Sequence, residues 1–489
     1  MNYFFRRGIH ASVATLLLFI LSCTASEGPV TISSLHRAVS RFVEAPWYYK
    51  NESVVGASFA LYGYAVGEPI IPVVEMLRTI VAATDAIMTD QQPRAHWLSD
   101  RISLNYFQRS FVPSGSTMAV FSDLHGSIHS LLRSLHYLVE RGYLNDDFTI
   151  KDPNFYFVFL GDYVDRGAFS PEVVYILAKL VVTNSSHVFL LRGNHDVPDV
   201  EQIIFPTSWR NDLAQRYGVK AGLLKSFFTQ FFLHMPFGLY LGTANTTGGK
   251  DYMFFSHAGT DLTLNVHGIL ADEDLAHKYY SLGPVGSAYD GLRASTPYNW
   301  AYIVERPDKP FSESGNYILS FDNVNNWLSR INDDAACVHG IIRGHQHGGM
   351  PDYDPPLEEG HGYAAHRNVH TIFSGAGAGG VFLPFDSFLL LHTADDFSAW
   401  TGEHVYRKVG ASFEEINKYS RKWNRWLLEN YGLCLERIAT LDTETRRYVL
   451  GESASAGYVP PLGDDSLTID ERIPWNVRPI VLSDIVCPH

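Results

Sequence analysis

The sequence predicts an α/β protein whose parallel strands carry polar motifs at their carboxyl ends, and three observations predict it. Short apolar runs at residues 117–121, 155–160 and 187–191 have the length of buried strands. Between them lie two helical patterns. Ile128, Leu131, Leu132, Leu135 and Leu138 share one face. After Pro171, which suits a first helical turn, Val174, Leu177, Ala178 and Val181 form another. Each apolar run ends in a polar motif: Ser122-Asp123-Leu124-His125-Gly126, then Gly161-Asp162, then Arg192-Gly193-Asn194-His195-Asp196. Strand and helix alternating at this spacing make two βαβ units. In open α/β sheets, ligands bind just beyond the carboxyl ends of the strands.

The same rhythm recurs downstream. Residues 253–255 lead into Ser256-His257-Ala258-Gly259, and residues 337–342 lead into Arg343-Gly344-His345-Gln346-His347. Further β runs at 369–374 and 388–391 flank a glycine-rich stretch, 375–380, read as a turn near the cleft. The elements divide the chain into a targeting segment (1–26), an N-terminal extension (27–110), a motif-bearing main domain (111–405) and a helical segment with its tail (406–489). The extension includes a helical stretch over 70–88 and is expected to pack onto the main domain. A second helix is expected over 412–431, and the Pro- and Gly-rich tail from 451 is expected to wrap the surface.

Composition bounds the function. Of 489 residues, 46% are apolar and 18% charged, an ordinary globular balance. Lys plus Arg is 38 against 52 for Asp plus Glu, a formal net charge of -14, which disfavours nucleic acid as a partner. Local arginines can still reverse the field in one cleft. Arg6 and Arg7 precede an apolar run over 11–21, and small residues follow it, the pattern of an export signal. That run is too short to span a bilayer comfortably. Cleavage near Ala25, lipidation of Cys23 and an uncleaved membrane anchor are the competing outcomes, and each makes the chain exported. Four cysteines are too few for a disulfide scaffold; Cys434 and Cys487 are one pair that an oxidising compartment could join. Sequons stand at Asn51, Asn184 and Asn245 and matter only in a eukaryotic secretory path.

The motifs carry chemistry as a set. Asp123 and His125, one residue apart after a strand, can turn toward one cation. In Gly161-Asp162-Tyr163-Val164-Asp165-Arg166-Gly167, Asp162 can bridge two cations with its two oxygens. Arg166 offers a fork of donors for a phosphoryl group, and Asp165 can orient a histidine. Asn194 supplies a neutral oxygen ligand, and His195 beside it is free to protonate a leaving oxygen. His257 and His345 each bring an imidazole to a strand end.

This ordered set resembles the calcineurin-like metallophosphoesterase superfamily and, more narrowly, the bacterial-like branch of the PPP-type serine/threonine protein phosphatases. The resemblance covers roughly residues 116–400. It implies a metallophosphoesterase fold, a central β-sandwich flanked by helices with the metal site at the carboxyl ends of strands. It also implies two metal ions, of Mn, Fe or Zn. Asp123, His125 and Asp162 would hold the first; Asp162, Asn194, His257 and His345 would hold the second. A hydroxide held between the ions would attack phosphorus in line. His195, paired with Asp165, would be the general acid, and Arg166 would clamp the phosphate. His347 is a candidate further ligand, and Arg306 and Arg343 are candidate substrate contacts alongside Arg166 and Asn194. Two departures stand out: Ser122 replaces the usual glycine before the first aspartate, and Asp196 replaces the usual glutamate after Asn-His. The family's further phosphate-binding arginine has no counterpart around residues 312–322, and Arg306 is the nearest stand-in.

The favoured function is therefore hydrolysis of phosphomonoesters, with a phosphorylated protein as substrate at Ser/Thr or at Tyr. The alternative is a small phosphorylated substrate, such as a dinucleoside polyphosphate or a nucleotide. A catalytically dead binding protein ranks last, because no ligand position is lost.

Overall fold

The structure, a computed structural model, describes residues 30–40, 69–91, 106–167, 169–196, 209–244, 248–281, 298, 300–304, 317–346, 362–375, 385–408 and 474–482. The expected export segment with Cys23, the helix over 412–431, Arg306, His347, Cys434 and Cys487 lie outside the described residues.

Two large sheets dominate. One has six strands: β2 (Thr117–Phe121), β3 (Phe155–Phe159), β4 (Val188–Leu190), β13 (Phe385–His392), β14 (Thr401–Lys408) and β15 (Asn476–Ile480), in the order β15-β14-β13-β2-β3-β4. The expected βαβ units are here. β2, β3 and β4 pair in parallel, linked by α3 (Ile128–Glu140) and α4 (Ser170–Thr183). The other sheet has seven strands: β1 (Tyr106–Phe111), β5 (Gly238–Ala244), β6 (Lys250–Ser256), β7 (Lys278–Ser281), β10 (Ala336–Arg343), β11 (Tyr363–His366) and β12 (Val369–Ile372). Their order is β11-β12-β10-β6-β5-β1-β7. A small parallel pair, β8 (Ala301–Val304) with β9 (Tyr317–Ser320), stands apart.

Strand alternation makes this a sandwich, since side chains two apart share a face. Met118 and Val120 of β2, Val158 of β3, Leu389 and Leu391 of β13 form one core with Leu239, Leu241, Met253, Phe255 and Ile342 of the other sheet. The intervening Ala119, Phe121, Phe157, Phe388 and Leu390 face the helices of a second core. On the far side, Tyr240, Tyr252, Phe254, Val338 and Ile341 pack with α8 (Phe321–Ile331) in a third. Val338 and Ile341 are three apart yet share a face, because β10 is irregular between Val338 and Gly340. The expected α/β sandwich flanked by helices is therefore the observed architecture.

The described helices of the N-terminal extension pack onto this body. α1 (Ile32–Ser40) and α2 (Val73–Gln91) bury Ile32, Leu35, Met76 and Ile80 in the helix-side core. Ser33 donates to Asp146 through both backbone N–H (2.8 Å) and hydroxyl (2.7 Å), and Tyr175 donates to Glu75 at 3.0 Å. β1 straddles the boundary drawn at 110/111 and sits inside the seven-stranded sheet, between β5 and β7. From the far end, β15 adds an antiparallel strand beside β14. Asn184 already uses its side chain to accept from Ile150 (2.8 Å) and donate to Phe148 (2.8 Å) and Leu180 (3.1 Å), so a glycan on its amide nitrogen would displace at least one of the two donations. Cys337 is disulfide-bonded, a role the sequence reading did not give it, and its partner lies outside the described residues. Among the described residues no helix is long and apolar enough to cross a membrane.

Phe121 joins three strands of one sheet, stacking on Phe159 (5.1 Å between ring centroids) and Phe388 (4.9 Å). Phe121→Ala should lower stability by about 3–5 kcal/mol, the usual loss for a buried phenyl ring. The urea midpoint of the full chain measures it, and an unchanged midpoint would mean that this stack does not hold the sheet.

Candidate two-metal site

The site forms where the carboxyl ends of β2, β3, β4, β6 and β10 meet. Backbone bonds draw the loops together. Leu124 and His125 donate to the Asp162 carbonyl at 3.0 and 2.8 Å, and Gly344 donates to the His257 carbonyl at 2.9 Å. The Tyr163 hydroxyl, fully buried, shares its one hydrogen between the Leu191 and Phe159 carbonyls (2.7 and 3.0 Å) and braces β3 against β4. Loops this close leave no room for side chains at two glycines. A Cβ on Gly193 would lie 2.2 Å from Asp162 N and Oδ1, and one on Gly344 would lie 1.7 Å from Ser122 Oγ.

Asp162 is central. Its Oδ2 lies 3.5 Å from His125 Nε2 on one side and 3.2 Å from His257 Nε2 on the other. Its Oδ1 accepts from the His195 backbone N–H at 2.9 Å. Asn194 Oδ1 sits 2.9 Å from both His257 Nε2 and His345 Nδ1. Asp123 Oδ1 is 3.9 Å from His125 Nε2. Two groups close enough to share an ion result: His125, Asp162 and His195, and Asp162, His257 and His345.

The His195 ring is contacted at both nitrogens. Its Nδ1 lies 2.8 Å from Asp165 Oδ2, and its Nε2 lies 3.2 Å from an Arg166 nitrogen and 3.9 Å from Asp162 Oδ2. The other Asp165 oxygen accepts from the backbone N–H of Trp209 (2.8 Å), the first residue of α5 (Trp209–Tyr217). The helix start thus fixes the carboxylate that fixes the imidazole.

Burial sets the charges. It raises the Asp123 carboxyl and drives the His125 imidazole well below its usual range. Burial also opposes the charged forms of Asp162 and His257. There the neighbours win: His257 and His195 hold the Asp162 carboxyl well below normal, and Asp162 and Asp123 raise His257. Burial and the Asp162 charge push Asp196 up to about 8.

These donors fit a pair of cations. Asp123 Oδ1 is buried and accepts no hydrogen bond among the described residues. Around it, carboxylate, amide and imidazole groups converge, a donor set that a cation can satisfy. The mixed oxygen and nitrogen set suits Mn, Fe or Zn.

Of the residues singled out in the sequence, Asp123, His125, Asp162, Asp165, Arg166, Asn194, His195, His257 and His345 are brought together. Arg343, the last residue of β10, is fully buried, and its guanidinium donates to the carbonyls of Ala258 (2.9 Å) and Ala301 (3.4 Å). Sequence reasoning missed Asp196, whose two oxygens accept from the backbone N–H groups of Asp162 (2.7 Å), Gly193 (2.9 Å) and Tyr163 (3.1 Å). The signal was there: a short acid beside Asn-His can accept from nearby backbone N–H groups of a turn.

Residues 116–349 match the calcineurin-like phosphoesterase family. In sequence the chain is 32% identical over 141 residues to the serine/threonine-protein phosphatase 6 catalytic subunit of Caenorhabditis elegans, 29% of this chain and 37% of that protein. The chain therefore spans little more than a third of that relative's length. Among solved structures it is similar to a protein serine/threonine phosphatase from Saccharomyces cerevisiae, with 16% identity and a TM-score of 0.43, over 67% of this chain and 84% of that one. It is also similar to a cold-active protein-tyrosine phosphatase from a Shewanella species, with 15% identity and a TM-score of 0.37, over 63% and 80% of the two chains. The motifs gathered at one end of the two-sheet sandwich all lie within residues 116–349, the stretch that matches the calcineurin-like phosphoesterase family.

Proposed function

We propose that the chain is a metal-dependent phosphoesterase that hydrolyses phosphomonoesters, acting on phosphorylated protein at Ser/Thr. The observation that carries this reading is one arrangement: His195, held by Asp165, presents Nε2 beside Arg166 and within 3.9 Å of the Asp162 oxygen that both histidine groups share. Asp123, His125 and Asp162 would hold one ion, and Asp162, Asn194, His257 and His345 the other. Such a pair acidifies water and neutralises charge growing on phosphoryl oxygens.

The chain's own residues supply the rest. Arg166 is partly exposed at the cleft and offers donors to the phosphoryl oxygens. His195 protonates the leaving oxygen from Nε2 while Asp165 holds its Nδ1–H and steadies the imidazolium. With a metal-activated water as the nucleophile, no side chain would need to become phosphorylated. A protein substrate is favoured by the similarity to the Caenorhabditis elegans phosphatase. Two polar residues beside His345 are already engaged by the fold: Arg343 is fully buried, and Gln346 Oε1 accepts from Ile303 N at 2.8 Å. Export is proposed as well. A disulfide at Cys337 accords with an oxidising compartment, and cell fractionation that finds the chain only among reduced cytosolic proteins would exclude it.

Asp162→Asn should abolish metal-dependent phosphatase activity and strip bound metal. His195→Asn should cut kcat about 10²–10⁴-fold, the range for losing a general acid, and leave the metal bound. Elemental analysis beside the rate measurement separates these roles, and equal metal loss in both variants contradicts them. In a substrate panel, phosphoseryl and phosphothreonyl peptides should turn over faster than phosphotyrosyl peptide, diadenosine tetraphosphate or nucleotides. Turnover of the dinucleotide alone would reverse the substrate class.

A further inference from the structure

The Asp123 carboxylate is asymmetric in a way that points beyond the metal reading. Its Oδ2 has two donors: the Ser122 hydroxyl and the His345 backbone N–H, the latter at 3.0 Å. Its Oδ1 is buried, accepts no hydrogen bond among the described residues and lies on the His125 side. Ser122 is itself fixed. It is 1% exposed, and its backbone N–H donates to the Ser374 hydroxyl at 3.0 Å; Gly375 N donates to the Asp123 carbonyl, also at 3.0 Å. Opposite the Ser122 hydroxyl is Gly344, where any side chain would collide with Ser122 Oγ (1.7 Å) and Asp123 Oδ2 (2.1 Å). The hydroxyl thus occupies space that a missing side chain leaves open, and its one available role there is to hold Oδ2.

We infer that Ser122 is a positioning residue that makes Asp123 a one-oxygen ligand for the cation beside His125, by engaging Oδ2 and leaving only Oδ1 to face the ion. The inference rests on the two-cation reading above and deepens it. A carboxylate with both oxygens available can swing to chelate an ion or turn toward a neighbouring donor. One whose far oxygen is held by two donors cannot do so without breaking both bonds. The second donor is the backbone of His345, whose ring faces Asn194 in the other group. The same oxygen therefore ties the two halves of the site together. Removing the hydroxyl leaves Oδ2 with the His345 N–H alone and frees the carboxylate to turn. Groups that orient a metal ligand in this way commonly contribute 10–100-fold in metal affinity (an order-of-magnitude range).

The test uses the full chain, stripped with chelator and titrated calorimetrically with Mn(II) and, separately, Zn(II). Wild type should take up two equivalents. Ser122→Ala, which deletes only the hydroxyl, and Ser122→Gly should also take up two, with one site weakened about 10–100-fold and the other within about threefold. Thermal unfolding of the stripped proteins is run in parallel. A purely structural serine would lower the unfolding temperature of the stripped variants and leave both affinities intact, and that result overturns the inference. Wild type that binds fewer than two equivalents of either metal overturns the two-cation reading and this inference with it. Two equivalents in wild type with both affinities unchanged in Ser122→Ala overturns the inference alone.

Discussion

One carboxylate organises this molecule. Asp162 sits at the end of β3 with a histidine ring on each side of Oδ2 and a backbone donor on Oδ1, and it is almost completely buried. A buried anion among buried imidazoles is unfavourable unless opposite charge neutralises it. Protonated His257 can do this in part; two cations would do it fully. The remaining features of the site follow from keeping this carboxylate in place. Asp196 holds its backbone N–H, Gly193 leaves it room, and the loop after β2 hangs from its carbonyl.

That placement requires backbone strain. Five of the seven non-glycine residues with positive φ among the described residues are His125, Asp162, Asp165, Arg166 and His345. Conformations of this kind cost of order 1–3 kcal/mol each and persist only where surroundings impose them. Here the surroundings are two sheets whose strand ends converge, with an apolar core between them and a helix layer on each outer face. The rigidity of the sandwich and the strain of its loops are two sides of one design: stiff strands hold bent loops so that polar atoms meet.

Much of this was legible in the sequence. The three strand runs, the two connecting helices and the placement of motifs at strand ends could be read because buried parallel strands are short and apolar and amphipathic helices have a fixed period. β2 spans Thr117–Phe121, as the apolar run did, and Pro171 stands at the start of α4 as expected. Less local features were hidden. Nothing in residues 106–111 marks β1 as an inner strand between β5 and β7, since pairing partners far along the chain leave no periodic trace. Arg343 reads as a site residue because it adjoins His345. Alternation along β10 and the irregularity at Gly340 decide its direction, and neither is visible in a one-dimensional motif. Asp196 and Ser122 are departures from the family pattern whose hydrogen bonds exist only once three loops have met.

The central claim is that Asp162 lies between two metal ions. Anomalous diffraction from crystals of the native protein, measured above and below the Mn, Fe and Zn absorption edges, tests it most directly. The account predicts two peaks about 3.5–4 Å apart, one near Asp123 and His125 and one near Asn194, His257 and His345, with the Asp162 carboxylate between them. A single peak, or a protein whose Asp162 carboxylate faces no metal at any edge, would contradict it.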